Sequence, residues 1–192
     1  VHLSKKLTTL ALPTMVAALA LVAPAAASAH HAHPTWHTDR IIGTPKDDII
    51  NARKGGDTVW GRGGNDTLSG NRGRDWLFGE SGNDTLNGNQ GNDRLYGGIG
   101  DDTLNGGADN DQLRGGPGMD TLNGMWGRDE LWGGADADTL NGGTGNDVIH
   151  ANGDGAVDTI DCGDGAHDLA IVDPTDVVVG GCETIIIKAP AV

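Results

Sequence analysis

Aspartate recurs every nine residues through the middle of this chain, at Asp48, Asp57, Asp66, Asp75, Asp84, Asp93, Asp102, Asp111, Asp120, Asp129, Asp138 and Asp147. An ionised carboxylate only accepts hydrogen bonds, so a regular file of carboxylates is a file of oxygen donors seeking cations. Ca²⁺ fits such a file, because it takes six to eight oxygens in flexible geometry. Mg²⁺ fits less well, since it demands an octahedron and keeps its waters. The chemistry on offer is therefore ion binding, and these twelve aspartates are the candidate metal ligands.

The elements that must carry them follow from the neighbours. Two residues after each aspartate stands an aliphatic, from Ile50 and Val59 through Leu68 to Leu140 and Ile149. Five residues before it stands glycine in every unit but one, where Ala52 replaces it, and two before it glycine is interrupted only by Lys46, Asp109 and Asp136. Glycine and aspartate tolerate the positive φ of tight turns, while three residues centred on an aliphatic form a strand with that side chain inward. Turn and strand then alternate, each nonapeptide supplying half a coil. One buried aliphatic per nine residues does not offset the entropy of ordering the unit, so the chain needs bound cations to fold.

Gly97-Gly98-Ile99-Gly100-Asp101-Asp102-Thr103-Leu104-Asn105 shows the unit GGxGxDxUx almost intact. It resembles the RTX, or haemolysin-type, calcium-binding nonapeptide repeat. The resemblance implies an all-β, right-handed parallel β-roll with several Ca²⁺ ions between turns stacked on the same edge. The aspartate of each unit is then a side-chain ligand, and the chain is largely disordered without calcium. Units that carry Asp109, Asp136 or Lys46 in place of glycine are expected to bind more weakly.

A second period of eighteen residues lies inside the first. Thr67, Thr85, Thr103, Thr121 and Thr139, with Ser69, Asn87, Asn105, Asn123 and Asn141, should form ranks on one sheet. The intervening units place Trp60, Phe78, Tyr96, Arg114, Trp132 and His150 in one rank on the other. Same-face ladders stabilise parallel strands. The strip Trp60, Phe78, Tyr96 and Trp132 is also a candidate ligand surface for sugar rings or a partner protein.

The rest of the chain sets the context. Lys5 and Lys6 precede an apolar run ending at Ala27-Ser28-Ala29, the pattern of a secretory signal over residues 1–29. Its removal would shift the formal net charge from −14 to −16, since it takes two lysines and no acid. Nucleic acid is thereby an unfavourable partner, and no later segment is apolar enough to span a membrane. Residues 30–40 are a His-rich linker, with His30, His31, His33 and His37 in a flexible polar tract that could also take up transition metals. The β-roll is expected over 41–150, opened by a strand within Arg40-Ile41-Ile42-Gly43-Thr44-Pro45, and a C-terminal cap over 151–192 clipped by a Cys162–Cys182 disulfide in an oxidising compartment.

No Gly-x-Ser-x-Gly, HExxH or P-loop pattern is present, and the carboxylates belong to the repeat, so an enzyme is not expected. The expected function is that of a secreted, calcium-folded structural or adhesive protein at or outside the cell surface. A carbohydrate- or protein-binding module using the aromatic strip is the alternative, and a haemolysin-like toxin component a weaker one.

Overall fold

A computed structural model describes residues 37–151 and 153–188. The expected signal, residues 30–36 of the linker and the last four residues lie outside the described part. Among the described residues every regular element is a strand. One sheet contains β1 (Arg40–Ile42), β3 (Thr58–Gly63), β5 (Trp76–Ser81), β7 (Arg94–Ile99), β9 (Gln112–Pro117), β11 (Glu130–Ala135), β13 (Val148–Ala151), β15 (Leu169–Val172) and β17 (Thr184–Ile187). The other contains β2 (Ile49–Asn51), β4 (Thr67–Arg72), β6 (Thr85–Gln90), β8 (Thr103–Ala108), β10 (Thr121–Trp126), β12 (Thr139–Thr144), β14 (Thr159–Asp161) and β16 (Val177–Gly180).

Successive strands alternate between the sheets, and each pairs in parallel with the strand one coil away. Leu104, Leu122 and Leu140 are direct register partners, as are Leu95 and Leu113. The result is the expected all-β parallel solenoid, about eight coils long. Its interior is a file of aliphatic side chains from the two sheets, and Val59 and Leu68 through Leu131 have no exposed surface. With so thin a core, in-register hydrogen bonding carries much of the order.

The strands are longer than the three residues that the repeat suggests. In most coils they run six residues and leave only three for the corner. The ladder skips the glycine five before each aspartate and resumes on the next two residues, as in Asn123↔Asn141 followed by Met125↔Gly143. Amides beyond the glycine still find acceptors one coil away, so pairing persists into what the sequence reads as turn. The residue just after that glycine takes positive φ even where it is Arg62, Asn71, Glu80, Asn89 or Met125.

The roll continues past residue 150. Strands β14 to β17 extend the same two sheets, while the coils lengthen to 20 and 21 residues between Asp138 and Asp158 and between Asp147 and Asp168. Cys162 and Cys182 are joined in a disulfide, with Cα atoms 5.1 Å apart, which ties the end of β14 to the segment between β16 and β17. The final strand leaves Ile185, Ile186 and Ile187 exposed.

Candidate metal centre

Each repeat aspartate opens a strand at a corner of the coil, and all twelve are buried, at 0–2 % exposure. Their two oxygens have different roles. From Asp57 to Asp147, Oδ1 accepts the backbone N–H of the aspartate one coil earlier, as in Asp48 to Asp66 at 2.8 Å, Asp75 to Asp93 at 2.7 Å and Asp102 to Asp120 at 2.8 Å. The aspartates thereby form two continuous ladders, one along each edge of the roll. Oδ2 of every one of these residues is buried without a hydrogen-bond partner. At Asp48 the roles are exchanged: Oδ2 accepts the Thr44 N–H at 2.5 Å and Oδ1 is the orphan.

The orphaned oxygens point into a defined place. A Cβ added to Gly106 would sit 2.6 Å from Asp111 Oδ2 and 2.8 Å from the Gly124 carbonyl oxygen of the next coil. The same convergence of carboxylate and carbonyl surrounds Gly43, Gly61, Gly79, Gly88, Gly115, Gly124 and Gly142. Glycine five before the aspartate is thus required because a side chain would occupy an oxygen-lined cradle. Ala52, five residues before Asp57, is the exception and is fully buried.

A buried, unpaired carboxylate is unfavourable, and rows of them repel one another. Burial first, then neighbouring carboxylates, push these groups far above the ordinary 3.8, against the opposing effect of the backbone hydrogen bond. Asp111 rises to about 8, Asp93, Asp102, Asp129 and Asp138 to about 7, and Asp66, Asp75 and Asp120 to about 6. Asp57, Asp84 and Asp147 are raised for the same first reason. No described lysine or arginine forms an ion pair with these carboxylates.

A hard cation answers this arrangement. The orphan carboxylate oxygens are in place and the carbonyls supply further oxygens, with neither nitrogen nor sulfur in the donor set. Among the described residues no three His, Cys, Asp or Glu side chains converge on one point. Carboxylates alone therefore do not form a cage, and main-chain carbonyls must complete any shell, which suits Ca²⁺ and not zinc. The residues that would hold the ions are the repeat aspartates, through the oxygen left free by the ladder.

Asp109 and Asp136, which replace glycine, keep the corner, with φ of 79° and 76°. The departure expected to weaken those units keeps φ positive but draws it in from the 101° to 145° of the glycines at the same place.

The ladders also reach acidic residues outside the twelve, Asp39 on the same nine-residue spacing and the others beyond the point where it stretches. Asp39 donates to Asp57 Oδ1, Asp158 accepts from Asp138, Asp168 from Asp147 and Asp176 from Asp158, and Glu183 accepts from Asp168. A signal for them was present. Each stands two residues before an aliphatic, at Ile41, Ile160, Ala170, Val178 and Ile185, even where the period stretches, and all but the exposed Ile185 enter or pack against the core.

The aromatic rank forms as the period predicts, with a consequence for binding. Trp60 stacks on Phe78 at 5.7 Å, Phe78 on Tyr96 at 4.9 Å and Trp132 on His150 at 5.0 Å, while Arg114 bridges Tyr96 and Trp132. Arg40 covers the outer face of Trp60 at 4.5 Å. The ring faces are thus taken by one another, and Trp60, Phe78, Tyr96 and Trp132 are half-buried. On the other sheet the asparagines link likewise, Asn105 to Asn87 at 3.0 Å and Asn123 to Asn105 at 2.9 Å.

A two-sheet parallel roll edged by paired rows of half-satisfied carboxylates defines a calcium-binding β-roll. The chain belongs to the RTX calcium-binding nonapeptide repeat family, which it matches in overlapping segments running from residue 34 to residue 166. No curated protein matches the chain. Among the described residues no helix is long and apolar enough to cross a membrane.

Proposed function

We propose that the protein is a secreted, calcium-folded scaffold with a structural or adhesive role at or outside the cell surface, and that it is not an enzyme. The observation that carries this reading is the row of buried carboxylate oxygens without partners along both edges. Such rows make the fold conditional on cations, and extracellular calcium modules work near millimolar concentrations. The Cys162–Cys182 disulfide supports an oxidising compartment. The aspartates are committed to the ladder and its ions, which leaves them no role as acids or bases. The self-stacked aromatic rank supports a structural reading of that strip over a ligand surface, because a sugar would need a free ring face.

Limited proteolysis tests the proposal. In 2 mM calcium the chain from residue 37 onward should resist cleavage, and in chelator it should be digested throughout. Equal resistance in both conditions would contradict it.

A further inference from the structure

Among the described residues two aromatics stand outside the stacked rank: Trp76, whose ring Arg94 covers at 4.7 Å, and Trp126. Trp126 ends β10 on the opposite sheet and is 66 % exposed, beside Met125 at 44 %. Its register partners one coil away are the small Ala108 and Thr144, and among the described residues no aromatic ring or guanidinium stacks on it. Two coils away, past Ala108, stand Asn89 and Gln90. Large residues at both ends and Gly107-Ala108 between them leave a groove of about 440 Å³ across the strand ends, closed at its far side by Arg72. Gly107 holds the floor open, because a side chain there would strike the Asn89 backbone.

The polar wall is set by its own hydrogen bonds. Arg72 Nε donates to Gln90 Oε1 at 2.9 Å, which leaves the Gln90 amide NH₂ as a donor to the groove. Asn89 Nδ2 donates to the Asn87 carbonyl at 3.1 Å, which leaves Asn89 Oδ1 as an acceptor. A neighbouring donor and acceptor suit a hydroxyl, which is both. They do not suit an anion, which Oδ1 and the net charge of −14 would repel. Trp126 and Gln90 are two strand spacings apart, about 9.6 Å. That gap admits one ring in van der Waals contact on both sides, at about 3.5–4.0 Å each.

The geometry points to a saccharide site in this groove: a pyranose ring of a neutral glycan lies over Ala108, its C–H face against Trp126 and Met125 and its hydroxyls on Gln90 and Asn89. The site lies on the sheet opposite the stacked rank and is independent of it. A linear glycan would run along the roll, toward Arg72.

Calorimetric titration of the full, calcium-loaded chain with neutral hexaoses of glucose and of N-acetylglucosamine, in α and β linkages, tests it. At least one should bind, and Trp126→Ala should weaken it at least about tenfold. Ala108→Trp, which fills the gap but keeps the indole, should weaken it as much. Trp76→Ala, on the other sheet, should bind like the parent. Far-UV circular dichroism of the same samples reports the fold separately from the groove. No binding of any hexaose at about 10 mM would overturn the assignment. So would unchanged affinity in Trp126→Ala, or capture of a protein through Trp126 with no saccharide response.

Discussion

Asp111 accepts the Asp93 amide through Oδ1 at 2.7 Å while its Oδ2 stays buried and unpartnered beside Gly106. One oxygen couples neighbouring coils and the other has no hydrogen-bond partner, which suits it to a cation. Repeated along both edges, this division would let a cation held by the free oxygen and a carbonyl of the next coil join neighbouring coils, so that the fold should appear cooperatively with calcium.

Replacing Asp111 by asparagine separates the two roles. An amide oxygen can keep the hydrogen bond to Asp93, but the charge that attracts a cation is lost. The calcium midpoint of folding should rise several-fold, because one carboxylate ligand of a hard cation becomes neutral. Asp111→Ala removes the coil-to-coil hydrogen bond as well and should cost more. Calcium titrations followed by circular dichroism compare the variants.

Proton linkage has a definite sign. The folded-state values of the ladder lie at about 6 to 8 for Asp66, Asp93, Asp102 and Asp111, against an ordinary 3.8. The metal-free roll therefore holds more protons than the unfolded chain in that interval, and its stability must fall as pH rises. What stability it has is fully present below about pH 3.9 and is lost on passing to pH 8. Calcium affinity should move the opposite way and strengthen from pH 5.5 to 8 as the carboxylates ionise. Far-UV circular dichroism in chelator, read as the fraction of β signal from about pH 3 to 8, and calcium titrations at several pH values measure the two trends.

The cradle can be closed or opened by one methyl. Gly106→Ala places a carbon between Asp111 Oδ2 and the Gly124 carbonyl, and should remove or weaken one ion. Ala52→Gly does the converse beside Asp57 and should strengthen calcium binding at the first coil, although glycine costs about 0.5–1 kcal/mol in backbone entropy. Equilibrium dialysis with ⁴⁵Ca counts bound ions in each variant.

The disulfide acts on the end of the roll. Cys162 is fully buried, and the bridge closes a loop across a separation of 20 residues. Cys182→Ser should destabilise the calcium-loaded protein by about 3 kcal/mol. Hydrogen exchange should accelerate first in β14 to β17, while the strands around Leu95 stay protected.

The sequence made the repeating part of this architecture legible because each coil is built alike. Asp48 to Asp147, the inward aliphatics, the aromatic rank and the asparagine rank all sit where the nine- and eighteen-residue periods put them. Asp158 and Asp168 escaped because two insertions stretch the coil, although the aspartate-x-aliphatic spacing survives. The split between Oδ1 and Oδ2 was not legible, since it depends on an amide eighteen residues away meeting the carboxylate at hydrogen-bond distance. Nor was the length of the strands, because glycine-rich positions read as turn while their amides pair across coils. The groove at Trp126 arises where a large residue follows a small one one coil away, in a rank that has no regular pattern along the sequence.

The most direct test of the account is far-UV circular dichroism of the metal-free chain titrated with CaCl₂ and separately with MgCl₂, then reversed with chelator. The account predicts a cooperative gain of β signal with calcium alone that chelator abolishes. A chain already fully folded in chelator at pH 8, or one that folds equally with magnesium, would contradict it.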